Sequence, residues 1–400
     1  MNKTKLEQWI CETEGLPELT RENLEALQLE KLNRLLIRAR EMKAHYEKLP
    51  ERLESLEQLR NLPFTTADML GENPGKYLLT SQSEIARIIS GATSGTTGPA
   101  KRVFYTAGDT EHTVGFFAAG ISEMVDPGEK VYIGMPFSGP FGLGDLIARA
   151  VEKLGAIPIR AGIGLTWGRQ QEILLEEKPE NFIGFPVPLL GLARFCGKDF
   201  TIRKALVSGD ACPEGVMEEL DRLLKGQTFP HYGSREMGLG GAVTCPAHEG
   251  MHLRENHVLA EIVDEAGNPL PDGQWGELVI TTIGLEAMPL IRYRTGDRAR
   301  FLEKRCPCGG VTKRLDRVSR LNPGGIDMEQ LDSRLFRVPE LIDYKANCCK
   351  GMLAIEAVTL QGAAPDALQK LLGGQAKLTL RDCTEQDLPL YPGKRYVALT

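Results

Sequence analysis

The sequence predicts an α/β protein. A large N-terminal domain with mixed sheets and a β subdomain spans 1–315, and a small mobile α+β C-terminal domain spans 316–400. Three observations predict it. The chain has 400 residues, more than one hydrophobic core usually serves. From about 109 to 210, helical and strand-like segments alternate, as in a sheet flanked by helices. After Asp316 the pattern becomes a short alternation of helix and strand.

The elements follow in order. Residues 5–60 read as helical, with Leu24, Leu27, Leu32, Leu35 and Leu36 at helix-like spacing among charges. Leu62-Pro63-Phe64-Thr65-Thr66 breaks that pattern and makes Thr66 an N-cap for 67–70. Residues 85–107 read as strand, Gly/Ser/Thr loop and strand. Helices are predicted over 110–124 and 147–154, and strands over 130–134, 156–160, 182–185 and 205–208. The stretch 257–303 reads as β, with strands at 258–263, 278–282 and 298–301 and a turn at Pro271-Asp272-Gly273. Beyond a hinge at Asp316–Arg317, helices are predicted at 328–336 and 364–372, and strands at 351–359 and 376–380.

Composition narrows the class. Hydrophobic residues make up 42% and charged residues 26%, as in ordinary globular proteins, and the net charge is -6. That charge argues against a nucleic-acid partner but not against a local basic site for phosphates. Residues 1–15 carry charge and no apolar run, and no stretch approaches the roughly 18 apolar residues of a membrane span. A cytoplasmic location without membrane association is expected. Nine cysteines, an odd number with close pairs such as Cys306/Cys308, suit metal binding or free thiols better than a disulfide framework.

The most informative segment is Thr93-Ser94-Gly95-Thr96-Thr97-Gly98-Pro99-Ala100-Lys101, between two expected strands. Glycines let backbone N–H groups turn inward as an anion nest, hydroxyls add donors, and Lys101 adds positive charge. The loop suits polyphosphate, yet it is not the Walker pattern. Alone, such a loop is as readily a flexible hairpin connection.

The loop resembles the phosphate-binding loop of adenylate-forming enzymes, and further motifs follow in the order that family shows. Tyr232-Gly233-Ser234-Arg235-Glu236 resembles Tyr-Gly-x-x-Glu, Tyr293-Arg294-Thr295-Gly296-Asp297 matches Tyr-Arg-Thr-Gly-Asp, and Arg314-Leu315-Asp316 resembles the Arg-x-Asp of the hinge. Lys394 stands where the C-terminal catalytic lysine is expected. Within the superfamily the chain is most similar to phenylacetate-CoA ligases and coenzyme F390 synthetases. There are departures: Ala100 rather than proline precedes Lys101, Arg235 replaces a small residue, Lys313 replaces glycine, and Asn322-Pro323-Gly324-Gly325 replaces a basic turn.

The resemblance implies ATP-dependent activation of a carboxylic acid through an acyl-adenylate, with CoA then taking the acyl group. It implies that Thr93, Ser94, Gly95, Thr96, Thr97, Gly98 and Lys101 embrace the phosphates, and that Glu236 ligates Mg²⁺. Asp297 and Arg314 would contact the ribose, Ser208, Gly209, Asp210 and Tyr232 would wall the adenine, and Gly233 would belong to the nucleotide site. Lys394 would stabilise charge developing on the carboxylate and α-phosphate, with Asp316 as the hinge that lets the small domain swing. Each residue alone has a plainer reading: Asp297 as a turn residue, Glu236 as a helix start, Lys394 as a solvated terminal charge. Their ordered co-occurrence favours the functional one.

Two further sites are expected. Cys245, His248, Cys306 and Cys308 read as a structural Zn²⁺ knuckle, with His252 as an alternative ligand. Met135, Pro136, Phe137, Phe141, Phe185 and Pro186, with Gly238, Gly240 and Gly241 leaving room, read as an apolar pocket for an aromatic or medium acid. Each of these is also an ordinary core residue type. The expected partners are the acid, ATP and CoA, and a homodimer stays open. Two rival readings are adenylyl transfer to a deazaflavin hydroxyl without CoA, and a non-catalytic nucleotide-binding protein.

Overall fold

The computed structural model describes residues 4–42, 45–46, 48–91, 101–321, 326–349, 351–360, 366–373, 376–391 and 393–399. Two compact units emerge, each built from two stretches of chain: 1–123 with 231–321, and 124–230 with 322–400. The expected break near Asp316 lies close to Leu321, where the first unit ends. The stretch 124–230, expected within the N-terminal domain, packs in the second unit.

In the first unit the expected long helical stretch is broken. Helix Lys5–Glu14 stops at Gly15, which takes a left-handed φ of 68°, and Arg21–Glu41 restarts behind Thr20 with a reciprocal capping box to Asn23. Thr66 caps Ala67–Glu72 as expected. Strands Ile85–Gly91 and Lys101–Thr106 form an antiparallel hairpin. Thr106 then caps helix Ala107–Ile121, whose near-continuous burial follows from its Phe, Ala, Val and Gly content. Val258–Val263, Gly276–Thr282, Tyr293–Ala299 and Ser319–Arg320 form an antiparallel sheet in that order. A second ladder pairs Arg314–Leu315 with Met251–Leu253, that strand with Ala242–Thr244, and the last with His231 and Tyr232. One core of Leu, Ile, Met and Tyr side chains, including Leu32, Tyr105, Met237, Ile280 and Tyr293, fills the unit.

The second unit contains a parallel sheet. Ile157–Ile159, Lys130–Gly134, Asn181–Gly184 and Lys204–Val207 lie side by side, and Thr228, Phe229 and Pro230, the first residues of strand Thr228–Tyr232, pair with the last of these. Helices Leu143–Lys153, Trp167–Glu177, Pro186–Cys196 and Glu214–Leu224 connect or flank these strands. Proline at the start of Pro186–Cys196 costs no hydrogen bond there. The C-terminal stretch contributes a four-stranded sheet ordered Ala376–Asp382, Met352–Thr359, Leu341–Cys349, Val397–Leu399, with helix Met328–Leu335. Both stretches share one core: Trp167, Leu190 and Leu220 are buried in the same cluster as Leu335, Phe336, Ile342 and Tyr344. Among the described residues no helix is long and apolar enough to cross a membrane.

Candidate active site

The first unit gathers the motif residues around a buried ion pair. Lys101 opens the strand after the Gly/Ser/Thr loop, and its Nζ donates to Glu236 Oε1 at 2.8 Å and to the Tyr293 hydroxyl at 2.8 Å. Both charged side chains are only 8% exposed. Burial pushes the Glu236 carboxyl up, but the adjacent Lys101 ammonium outweighs it and the net shift is downward. Glu236 is therefore anionic at neutral pH. The Tyr293 hydroxyl is pushed upward, first by burial and then by the Glu236 charge. Glu236 sits in a short 3-10 turn, and the hydroxyl of Tyr105 donates to the Arg235 carbonyl beside it.

A second cluster adjoins the first through the same motifs. The Tyr232 hydroxyl donates to Asp297 Oδ2 at 2.7 Å, and Arg320 pairs with Asp297 Oδ1 at 2.9 Å. Burial, followed by the Asp297 charge, raises the Tyr232 pKa far above its ordinary value. The Tyr-Arg-Thr-Gly-Asp segment is shaped locally. Gly296 adopts φ +70°, its N–H donates to Glu277 Oε1 at 3.2 Å, and the Thr295 hydroxyl donates to the Leu278 carbonyl at 2.7 Å. A register shift between Glu277 and Val279 accompanies this bend. Gly233 has a packing reason: a Cβ there would lie 2.1 Å from the Leu239 carbonyl oxygen.

Arg314 departs from its expected place. It is nearly fully buried, and its guanidinium donates to the carbonyls of Glu249 and Lys304 rather than to anything beside Asp297. Its strand faces the Met251–Leu253 ladder, so the side chain points into a turn-rich corner. Arg320 stands beside Asp297 instead. Asp316 pairs with Arg300 at 2.8 Å. Thr93, Ser94, Gly95, Thr96, Thr97 and Gly98 lie outside the described residues.

The remaining expected residues divide between the units. In the second, the Ser208 amide donates to the Gly184 carbonyl at 2.9 Å. Gly209 at φ +86° leaves space that the Phe185 ring occupies, since a Cβ would lie 2.6 Å from it. The Asp210 carboxylate accepts from the amides of Ala211 at 2.9 Å and Arg395 at 2.8 Å. Lys394 is exposed. Met135, Phe185 and Pro186 are buried, Phe141 is exposed, and Phe137 stacks under Arg160 at 4.7 Å. In the first unit Gly238 has φ +74°. Gly240 and Gly241 do not leave open room as expected. A Cβ on Gly240 would meet the Phe116 ring at 2.4 Å and one on Gly241 would meet Met237 Sδ at 2.3 Å, so close packing already uses the space.

A third cluster is a candidate metal centre. Cys245, His252, Cys306 and Cys308 bring their ligand atoms within 4.8 Å of one another. Cys245 Sγ lies 3.6 Å from Cys306 Sγ, and Cys308 Sγ lies 3.4 Å from His252 Nε2. A tetrahedral zinc with Zn–S bonds of about 2.3 Å requires sulfurs about 3.8 Å apart, so the donor set fits. Thr312 Oγ1 at 2.8 Å from His252 Nδ1 orients the ring and leaves Nε2 for the ion. His252 takes the place expected for His248. It lies on the buried strand Met251–Leu253, whereas His248 sits in the turn after Cys245 at a left-handed φ of 53°.

Sequence reasoning assigned no role to Tyr105, the Tyr293 hydroxyl, Arg320 or Arg395. Tyr293 lies inside a recognised motif. Arg320 sits on a two-residue strand, too short for any periodic signal.

The family model described as AMP-binding enzyme matches residues 45–287. The chain is 29% identical over 354 residues to a phenylacetate-coenzyme A ligase of Thermus thermophilus, covering 82% of this chain and 79% of that one. It is 31% identical over 307 residues to a phenylacetate-coenzyme A ligase of Aromatoleum evansii, covering 72% and 69%. A solved 2-hydroxyisobutyryl-CoA ligase, in its postadenylation state with R3-HIB-AMP, superposes with a TM-score of 0.79 at 20% identity, covering 96% of this chain and 90% of that one. The chain belongs to the AMP-binding enzyme family, in the branch of the phenylacetate-coenzyme A ligases.

Proposed function

We propose that this AMP-forming carboxylate–CoA ligase activates an aromatic or medium apolar acid, with phenylacetate the first candidate because the curated relatives are named for it. The observation that carries the reading is the pair of joined clusters, Lys101–Glu236–Tyr293 and Tyr232–Asp297–Arg320, within one unit. A buried carboxylate that stays anionic suits Mg²⁺, which Glu236 would hold, and Lys101 beside it would offer its charge to a phosphate. Asp297 is assigned the ribose hydroxyls, with Tyr232 and Arg320 fixing its orientation. Ser208 and Gly209 offer backbone for the adenine. Lys394 is assigned the charge that develops as a carboxylate oxygen attacks the α-phosphorus and pyrophosphate leaves.

Thioester formation then has the CoA thiol attack the adenylate carbonyl: the C–S bond forms, the C–O bond to AMP breaks, AMP departs and the thiol proton passes to solvent. The segment carrying Lys394 has no task in that step, so a swing about residues near Asp316 fits the sequence of events. Cys245, His252, Cys306 and Cys308 would hold a structural zinc, since four protein donors leave no open position for chemistry.

The test is ATP–pyrophosphate exchange across aryl and short-chain acids, followed by the active acids with CoA. Exchange with phenylacetate or a related acid, then thioester on adding CoA, is the expected result. Exchange without thioester moves the question to another acceptor. No exchange with any acid overturns the reading.

A further inference from the structure

The loop that carries Lys394 is tied down far more firmly than an exposed lysine needs. Arg395 follows it directly, and the Arg395 side chain is only 4% exposed. Its guanidinium donates to Asp332 at 3.0 and 3.1 Å, to Asp343 at 2.6 Å and to the Tyr344 carbonyl at 3.2 Å. It also stacks on the rings of Tyr391 and Tyr344, at 4.7 and 4.8 Å. The Leu390 amide donates to Asp343 at 2.7 Å, and the Tyr391 hydroxyl donates to the Tyr396 carbonyl at 2.9 Å. These bonds fix the loop to the helix Met328–Leu335 and to the strand Leu341–Cys349.

One further bond is different in kind. The backbone N–H of Arg395 donates to Asp210 Oδ2 at 2.8 Å, and Asp210 belongs to the 124–230 stretch, in the turn after strand Lys204–Val207. The other carboxylate oxygen is held by the Ala211 amide at 2.9 Å, so the acceptor cannot rotate away. Burial raises the Asp210 pKa, while the two amides and the charges of Lys394 and Arg395 oppose that shift. The Lys394 charge is thus within electrostatic reach of Asp210. Elsewhere the same two stretches join through Trp167 N–H to Asp387 O at 2.9 Å and Arg194 to Leu341 O at 2.7 Å, away from Lys394.

We propose that Asp210 is a positioning residue: it receives the Lys394 loop and holds the Arg395 amide, so that Lys394 is presented from a fixed backbone for adenylate formation. The bond is made for the first half-reaction and released for the second. A residue acting in this way separates the two half-reactions, which a merely structural residue does not. The proposal rests on the adenylation role assigned to Lys394 above.

The experiment compares wild type, Asp210→Asn and Lys394→Ala. Asparagine keeps the shape of aspartate but has one acceptor oxygen for two amides, so one N–H must face an NH₂ group. Three readouts are taken on the full chain: ATP–pyrophosphate exchange with the fastest acid of the panel, thioester formation from that acid's synthetic adenylate plus CoA, and amide hydrogen exchange over 391–399. For Asp210→Asn the expected result is a loss of pyrophosphate exchange about tenfold greater than any loss of thioester formation, and faster hydrogen exchange in that segment. Lys394→Ala should lose pyrophosphate exchange with the segment still protected. Full activity of Lys394→Ala, or no exchange in wild type with any acid, overturns the underlying reading and the proposal with it. Loss in Lys394→Ala but none in Asp210→Asn overturns the positioning role alone. Equal loss of both half-reactions in Asp210→Asn also overturns it, because that is the mark of general damage.

Discussion

Lys101 and Glu236 neutralise each other in a place where neither could stand alone. Removing one partner leaves a buried charge, which costs far more than the pair contributes. Glu236→Ala should therefore destabilise the fold by roughly 3 kcal/mol or more, read as a lowered Tm. Glu236→Gln is the more informative change. It keeps an acceptor for Lys101 but withdraws the charge offered to Mg²⁺, so the Mg²⁺ concentration for half-maximal pyrophosphate exchange should rise about tenfold. An unchanged Mg²⁺ requirement would refute the ligand role. Asp297→Asn keeps the shape and breaks the pairing with Arg320 at 2.9 Å. ATP affinity should fall about tenfold by calorimetry, the usual scale for a charge-assisted hydrogen bond. Equal affinity would remove Asp297 from the ribose.

At the scale of elements, the cysteine turns make the sharpest test. Cys306 and Cys308 lie in the loop before Arg314–Leu315, and His252 lies on the strand paired with it, so an ion there would pin loop to strand. Metal analysis should find about one zinc per chain. His252→Ala should lose it and His248→Ala should keep it, and the reverse pattern would restore the spacing-based assignment. Short spacing made the three cysteines legible, but a choice between two nearby histidines depends on strand direction and burial, which spacing does not contain. The same limit explains other differences. Lys130–Gly134 and Val258–Val263 were legible because apolar runs bounded by turn residues announce strands. Leu341–Cys349 was missed, although it is paired on both sides, because Asp343 and Asn347 make it read as polar. Asp343 can be buried there only because Arg395, far along the chain, pairs with it. The long helical reading of 5–60 failed at Gly15, whose left-handed cap ends the first helix before the leucine series that begins at Leu24.

At the scale of the molecule, the ordered motifs disclosed the chemistry better than the domain plan. Each compact unit joins two separated stretches, and no composition shift marks a division that falls inside the strand Thr228–Tyr232. The first unit has a property that belongs to it as a whole. Burial pushes His231 and His252 down to about 4, and His257 well below its ordinary value. All three are neutral when folded, yet would titrate near 6.5 in an unfolded chain. Below 6.5 the unfolded state therefore binds protons that the folded state refuses. The stability these residues contribute is complete above 6.5 and is lost as pH falls toward 4, by up to about 1.4 kcal/mol per pH unit for each imidazole. Zinc on His252 would act in the same direction, since it too requires a neutral ring. Asp109 and Glu261 oppose the trend, because burial raises their pKa and favours the folded state as acid is added. The informative quantity is thus a difference: the fall in Tm between pH 6.5 and 4.5 for wild type against His231→Gln. The variant should start lower, because it disturbs packing against Phe116 and Phe117, but it should lose less on acidification. Parallel curves would mean that His231 titrates alike in both states and that its burial does not govern the acid limit of the fold.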